Sequence, residues 1–249
     1  MKRETTAAPT IVDRGAFEAE LAALRVREKA HTREGDAISA ARRRLPMVEV
    51  DASLPLTGEN GRVTLLDTFD GRRQLIAYYF MWYDGKPAIE QCEGCTLYTS
   101  EIGELSYIHS RDTSYATFCQ GPYEESARYR AFMGWQMPWY SAKESLDQLL
   151  VGRQINHFYL VSYLRQDERV FETYWTTGRG VEAMDYSWAL LDRTIYGRQE
   201  TWEDAPPGWP QRWGPGTDEP NWYRLNGRPI SQWPRLAAGR SDDLGAGRE

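Results

Sequence analysis

The uncharged run Gln74-Leu-Ile-Ala-Tyr-Tyr-Phe-Met-Trp82 constrains the fold of this chain more than any other feature. It falls far short of the roughly 20 residues that cross a bilayer. Its Ile, Tyr, Phe and Trp content favours a strand, and a strand apolar on both faces is a fully buried one. The chain must therefore supply a sheet around it and cover for both faces of that sheet.

The rest of the sequence supplies both. Before the run come short β-rich segments, Val48-Glu-Val50 and Val63-Thr-Leu65, with turns at Gly58–Gly61 and Asp70-Gly71. After it the pattern predicts a helix over about 94–108, a strand Ser114–Cys119, a helix over about 123–133 and a strand His157–Leu164. A polar turn at Gln166-Asp-Glu168, a strand Val170–Trp175 and a helix over about 180–191 follow. In this β-α-β-α-β-β-α order, strands joined through a helix run parallel with a right-handed crossover, and the last two form an antiparallel hairpin. The expected fold is α/β and thioredoxin-like in outline, a central mixed sheet flanked by helices.

Asp13 caps an amino-terminal helix over 13–45, in which Phe17, Leu21, Leu24 and Val26 recur at roughly helical spacing. Arg42-Arg-Arg44 suits its negative end, and Pro46 stops it. After about Gly197, five tryptophans lie among seven prolines without periodicity. So many large aromatics predict an irregular tail laid across the domain, with a partner-binding arm as the alternative. The expected division is an arm over 1–46, a thioredoxin-like domain over 47–197 and a Trp- and Pro-rich tail over 198–249.

The 249 residues, 41% hydrophobic and 27% charged, are enough to bury a real core. A net charge of -6 gives no broad basic surface for nucleic acid. No membrane span is expected. Met1–Thr10 has two early cations and no apolar stretch behind them, so the expected location is the cytoplasm. There the three cysteines stay reduced, which directs them to thiol chemistry or metal binding rather than to a structural disulfide.

Cys92-Glu-Gly-Cys95 is the strongest chemical signal. It follows a buried strand and opens a helix, whose unsatisfied N–H groups and dipole favour a thiolate. Parallel topology brings Cys119, at the end of its strand, to the same sheet edge, where it is either a site thiol or a small buried apolar residue. His157 begins an antiparallel strand and so should also reach that edge, as a ligand or as a hydrogen-bonded strand-end residue. By the same argument His109 lies at the opposite edge, and His31 on the arm is surface. Tyr78, Tyr79, Trp82 and Tyr83, with Trp135, Trp139 and Tyr140, either line a pocket or fill the core. Glu90 and Glu93 are proton acceptors or ordinary partners of the helix dipole.

Residues Arg14 to Gln199 resemble a bacterial thioredoxin-like family known as a domain of unknown function (DUF 899). The likeness rests on the arm ending Arg42-Arg-Arg-Leu-Pro46, the Gln74 strand leading to the cysteine pair, Tyr129–Trp135 with Pro138-Trp139, and Tyr196–Glu200. It implies the fold and the cysteine pair, without naming a reaction. Thioredoxins carry a cis-proline where this chain has Gln154-Ile-Asn-His157. A histidine there is similar to Sco-type copper proteins, and two thiolates with an imidazole suit Cu(I).

The leading expectation is therefore a redox enzyme using Cys92 and Cys95 on a thiol or small-molecule substrate. The alternative is a copper site of Cys92, Cys95 and His157. Peroxiredoxin chemistry ranks below both, because Cys92 stands where that motif needs a threonine.

Overall fold

The computed structural model describes residues 7–237. Residues 1–6 and 238–249, where the sequence reading starts its arm and ends its tail, lie outside the described residues. Helix α1 (Arg14–Arg42) is capped by the Asp13 side chain, which accepts the Ala16 N–H at 2.9 Å, and it buries none of its own residues. The chain then forms β1 (Val48–Val50), β2 (Pro55–Gly58), β3 (Gly61–Thr64), β4 (Gln74–Phe80), α2 (Glu93–Ser100), α3 (Ser106–His109) and β5 (Thr113–Cys119). It continues through α4 (Tyr123–Met133), β6 (Trp139–Ser141), α5 (Leu146–Leu149), β7 (Tyr159–Gln166), β8 (Arg169–Thr176) and α6 (Tyr186–Leu191). The tail adds a small hairpin, β9 (Arg224–Leu225) and β10 (Arg228–Pro229), and α7 (Trp233–Ala237).

The main sheet has the order β1-β8-β7-β4-β5-β6-β2-β3. β4 runs parallel to β5 and antiparallel to β7, and β7 and β8 form the expected hairpin. This is a thioredoxin-like fold, a β4-α2-β5 crossover joined to a ββα unit, with helices on the sheet and α1 ahead of it.

The pleat sends alternate residues of β4 to opposite faces. Leu75, Ala77 and Tyr79 join one core cluster with Leu56, Phe69, Phe118 and Val161. Tyr78 and Phe80 join a second, aromatic cluster with Cys95, Tyr98, Tyr129, Trp135 and Trp139. Full burial of a side chain such as Phe80 contributes about 1.5–3 kcal/mol. Most aromatics that the sequence offered as pocket walls are in fact core: Tyr78, Tyr79, Trp82, Trp135 and Trp139 are buried, and Tyr83 is the one clearly exposed.

Several elements differ from the sequence reading, among them β2, α5 and the tail's β9, β10 and α7, which were not expected. The helix expected over 94–108 is two helices, because the chain breaks at Glu101–Leu105 and the Glu104 carboxylate accepts the Ser106 N–H to start α3. The segment over 180–191 is a 3-10 helix, Gly178–Met184, followed by α6, which restarts where Asp185 accepts the Trp188 N–H at 3.0 Å. β6, parallel to β5, was not expected at all.

Candidate functional site

Gln91 is one of several side chains that hold the loop from β4 to α2. Buried Gln91 donates from Nε2 to the carbonyls of Tyr83 and Lys86, both at 2.9 Å, and accepts the Tyr83 N–H at 3.1 Å. This fixes where α2 begins. Cys92 occupies the N-cap position, where Ser, Thr, Asp or Asn is usual, and its Sγ accepts the Cys95 N–H at 3.3 Å. The Thr96 hydroxyl donates to the Cys92 carbonyl at 2.7 Å, and Met81 Sδ lies 3.9 Å from Cys92 Sγ.

The two sulfurs differ in character. The Cys92 thiol is held below the ordinary thiol range by hydrogen bonding from the Cys95 side chain, and the backbone N–H groups of Cys95 and Gly94 act in the same direction against burial. Cys95 is 1% exposed. Burial pushes its thiol far up, and its hydrogen bond to Cys92 and the charge there push it further, while the Tyr78 hydroxyl favours the ionised form. The arrangement is an anion-favouring sulfur at a helix start beside a sulfur that stays protonated, both of them free thiols.

Cys119 ends β5 paired with Phe80 and faces the same aromatic cluster as Cys95. It is fully buried, with the Gly121 N–H 3.5 Å from its sulfur, and burial pushes its thiol up to about 12.

His157 differs from the expectation, because β7 starts at Tyr159 and His157 lies in the loop before it. Gln120 holds that loop, donating to the His157 carbonyl and accepting the Asn156 N–H, each at 2.7 Å. The imidazole packs on Phe158 and Tyr159, with ring centroids at 4.8 and 5.4 Å, and Tyr159 belongs to the core cluster on the far face of the sheet. Among the described residues, no three His, Cys, Asp or Glu side chains are grouped to hold a metal ion. Cys92, Cys95 and His157, the set expected for copper, are accordingly not grouped among the described residues.

The tail supplies residues that the sequence reading missed. Glu93, between the cysteines, accepts from Arg224 Nε at 2.5 Å and from Asn221 Nδ2 at 2.9 Å, and Arg224 Nη2 also reaches the Ile89 carbonyl at 3.1 Å. Tyr223 lies flat on Trp188, with centroids at 6.1 Å, and its phenol end rests on Gly94. A Cβ built at Gly94 would be 3.1 Å from the phenol oxygen. Burial, then the charge at Cys92, pushes the Tyr223 hydroxyl up to about 12. Gln232 anchors the tail further on, donating to the Ala88 carbonyl at 2.6 Å and to the Tyr129 hydroxyl at 2.9 Å. Sequence separations of 128 and 131 residues hid these partners. The available signal was the pair Glu93-Gly94 itself, an acid and a residue without a side chain set between two cysteines.

A thioredoxin-like sheet with two cysteines at the turn from a buried strand into a helix defines the class. Within it, the chain belongs to the family described as bacterial protein of unknown function (DUF899), whose model matches residues 6–227. No curated protein matches the chain.

Solved structures that resemble it include a peroxiredoxin Q mutant of Xanthomonas campestris, at 16% identity and a TM-score of 0.41, covering 59% of this chain and 97% of that one. A PrxQ mutant of Xylella fastidiosa is similar at 13% identity and a TM-score of 0.40, covering 58% and 95%. The peroxidoxin BcpB from Mycobacterium tuberculosis is similar at 12% and 0.40, covering 57% and 92%. Among the described residues, no helix is long and apolar enough to cross a membrane.

Proposed function

We propose that this protein is a cytoplasmic dithiol oxidoreductase in which Cys92 attacks a disulfide substrate and Cys95 resolves the intermediate. One observation carries the reading: Cys92 Sγ caps α2 with the Cys95 N–H on it at 3.3 Å, beside a fully buried partner thiol. Helix-start N–H groups stabilise an anion at the first sulfur, and burial keeps the second one protonated until it is needed.

The steps balance. The Cys92 thiolate attacks one sulfur of the substrate, a Cys92–substrate S–S bond forms, and the other half leaves as a thiolate that takes up a proton. Cys92 then carries no charge, so part of what held the Cys95 proton is gone. Cys95 loses that proton and attacks Cys92 Sγ, releasing the second half as a thiol and leaving a Cys92–Cys95 disulfide. Two electrons pass from the pair to the substrate. Cys119 and His157 take no part.

The test is a single turnover of the reduced protein with a chromogenic disulfide. Cys92→Ser is expected to abolish product release. Cys95→Ser is expected to release one equivalent and retain the other half on Cys92, seen by mass spectrometry. Full turnover by Cys92→Ser would refute the reading.

A further inference from the structure

We infer that the tail segment Asn221–Arg224 is a specificity strap that reserves the cysteine pair for small-molecule disulfides with an aromatic or apolar body and keeps protein disulfides off. The inference rests on the dithiol reading above and names the substrate class of that same site.

A protein disulfide reaches a helix-capping sulfur only when a second chain lies against the backbone around it. Here that backbone already has an occupant. Arg224 holds the Ile89 carbonyl and the Glu93 carboxylate, Asn221 holds the other Glu93 oxygen, and the Tyr223 phenol lies on Gly94. Gln232 closes the Ala88 carbonyl. The segment is itself braced, since Asn221 Oδ1 accepts the Tyr223 N–H at 2.9 Å and Trp213 Nε1 donates to the Arg224 carbonyl at 3.0 Å.

Behind Tyr223, between α6 and the tail, lies a cavity of about 300 Å³ walled by Leu97, Trp188, Trp213, Trp222, Tyr223 and Ile230. That volume is at the bottom of the range typical of small-molecule sites, about 300–1,000 Å³. A second cavity of about 280 Å³ shares Trp188, Trp222 and Tyr223 and adds Tyr98 and Phe158, which belong to the aromatic layer around the cysteines. Tyr223 is thus both the wall of these cavities and the cover on the Cys92–Cys95 turn. An aromatic ring fits the cavities; a folded chain does not.

The test compares two disulfides in single turnovers of the reduced full-length protein: bis(4-pyridyl) disulfide and oxidised insulin. In each, two electrons leave the cysteine pair, and the products are two thiols and a Cys92–Cys95 disulfide. Dithiothreitol, run on both, calibrates their intrinsic reactivity. The protein is expected to disfavour insulin by at least about tenfold more than dithiothreitol does, about 1.4 kcal/mol in barrier.

Two variants loosen the strap in different ways: Asn221→Ala with Arg224→Ala removes its grip on Glu93, and Tyr223→Ala removes the cover while leaving that grip. Each is expected to raise the insulin-to-pyridyl rate ratio by at least about tenfold, with its fold checked by circular dichroism. The ratio cancels any change in the reactivity of Cys92 itself.

Discrimination no greater than that of dithiothreitol, or a ratio unmoved in folded forms of both variants, overturns the strap and leaves the dithiol reading standing. If neither disulfide is consumed by the unaltered protein, the dithiol reading falls and the strap falls with it.

Discussion

Cys92 and Cys95 have two residues between them and are shifted in opposite directions, and the cause is position. Cys92 at the cap accepts first from the Cys95 side chain and then from helix N–H groups, whereas Cys95 is buried in the aromatic layer. A lowered pKa means that the thiolate fraction of Cys92 at neutral pH exceeds that of an ordinary cysteine, and that it falls only as the pH drops through the lowered value. Alkylation by iodoacetamide is therefore expected to modify Cys92 first and to persist below the usual thiol range. Cys95→Ala removes the largest stabilising contribution and is expected to move the Cys92 midpoint upward, as read from thiolate absorbance against pH. This pair was legible in the sequence because its environment is local, a strand before and a helix after. His157 was expected to begin a strand and instead lies in the loop before β7, because topology assigns an edge while local pairing decides where a strand starts.

At the scale of elements, the turn from β5 to α4 is tightly built. The Trp82 indole donates to Glu125 at 2.7 Å, Glu125 also accepts the Gly85 N–H, and a Cβ at Gly121 would fall 1.9 Å from Trp82 Cδ1. Trp82→Phe leaves a buried carboxylate oxygen short of a partner and is expected to cost about 1–3 kcal/mol in urea unfolding. Gly121→Ala overpacks the same spot and is expected to cost about as much, about 1–3 kcal/mol. α1 behaves in the opposite way. Phe17 and Leu24 are each 47% exposed, so Phe17→Ala and Leu24→Ala are expected to stay within about 0.5 kcal/mol of the parent by the same measurement. Strands and helices with a clear period were readable from sequence. β6 was not, because Trp139-Tyr-Ser141 is too short to show alternation and becomes a strand by pairing with β5 and β2.

Across the whole molecule, the tail is bound to the domain through polar side chains that reach buried groups. Gln232→Ala strips a donor from both the Ala88 carbonyl and the Tyr129 hydroxyl and is expected to lower stability by about 1–3 kcal/mol. If tail and domain unfold together, calorimetry should give one transition at a lower temperature; two separate transitions would show that the tail is an independent unit. The tryptophans and prolines announced a packed tail, yet nothing in the sequence said what it packs on, since contacts across more than a hundred residues leave no local pattern. The Glu93–Arg224 pair has a consequence for anyone borrowing the motif. Grafted into another thioredoxin-like protein, Cys-Glu-Gly-Cys would arrive with its acid unmatched, and an unmatched negative charge there works against the Cys92 thiolate. The dipeptide between the cysteines is one half of a two-part message, and the other half is written near the far end of the chain.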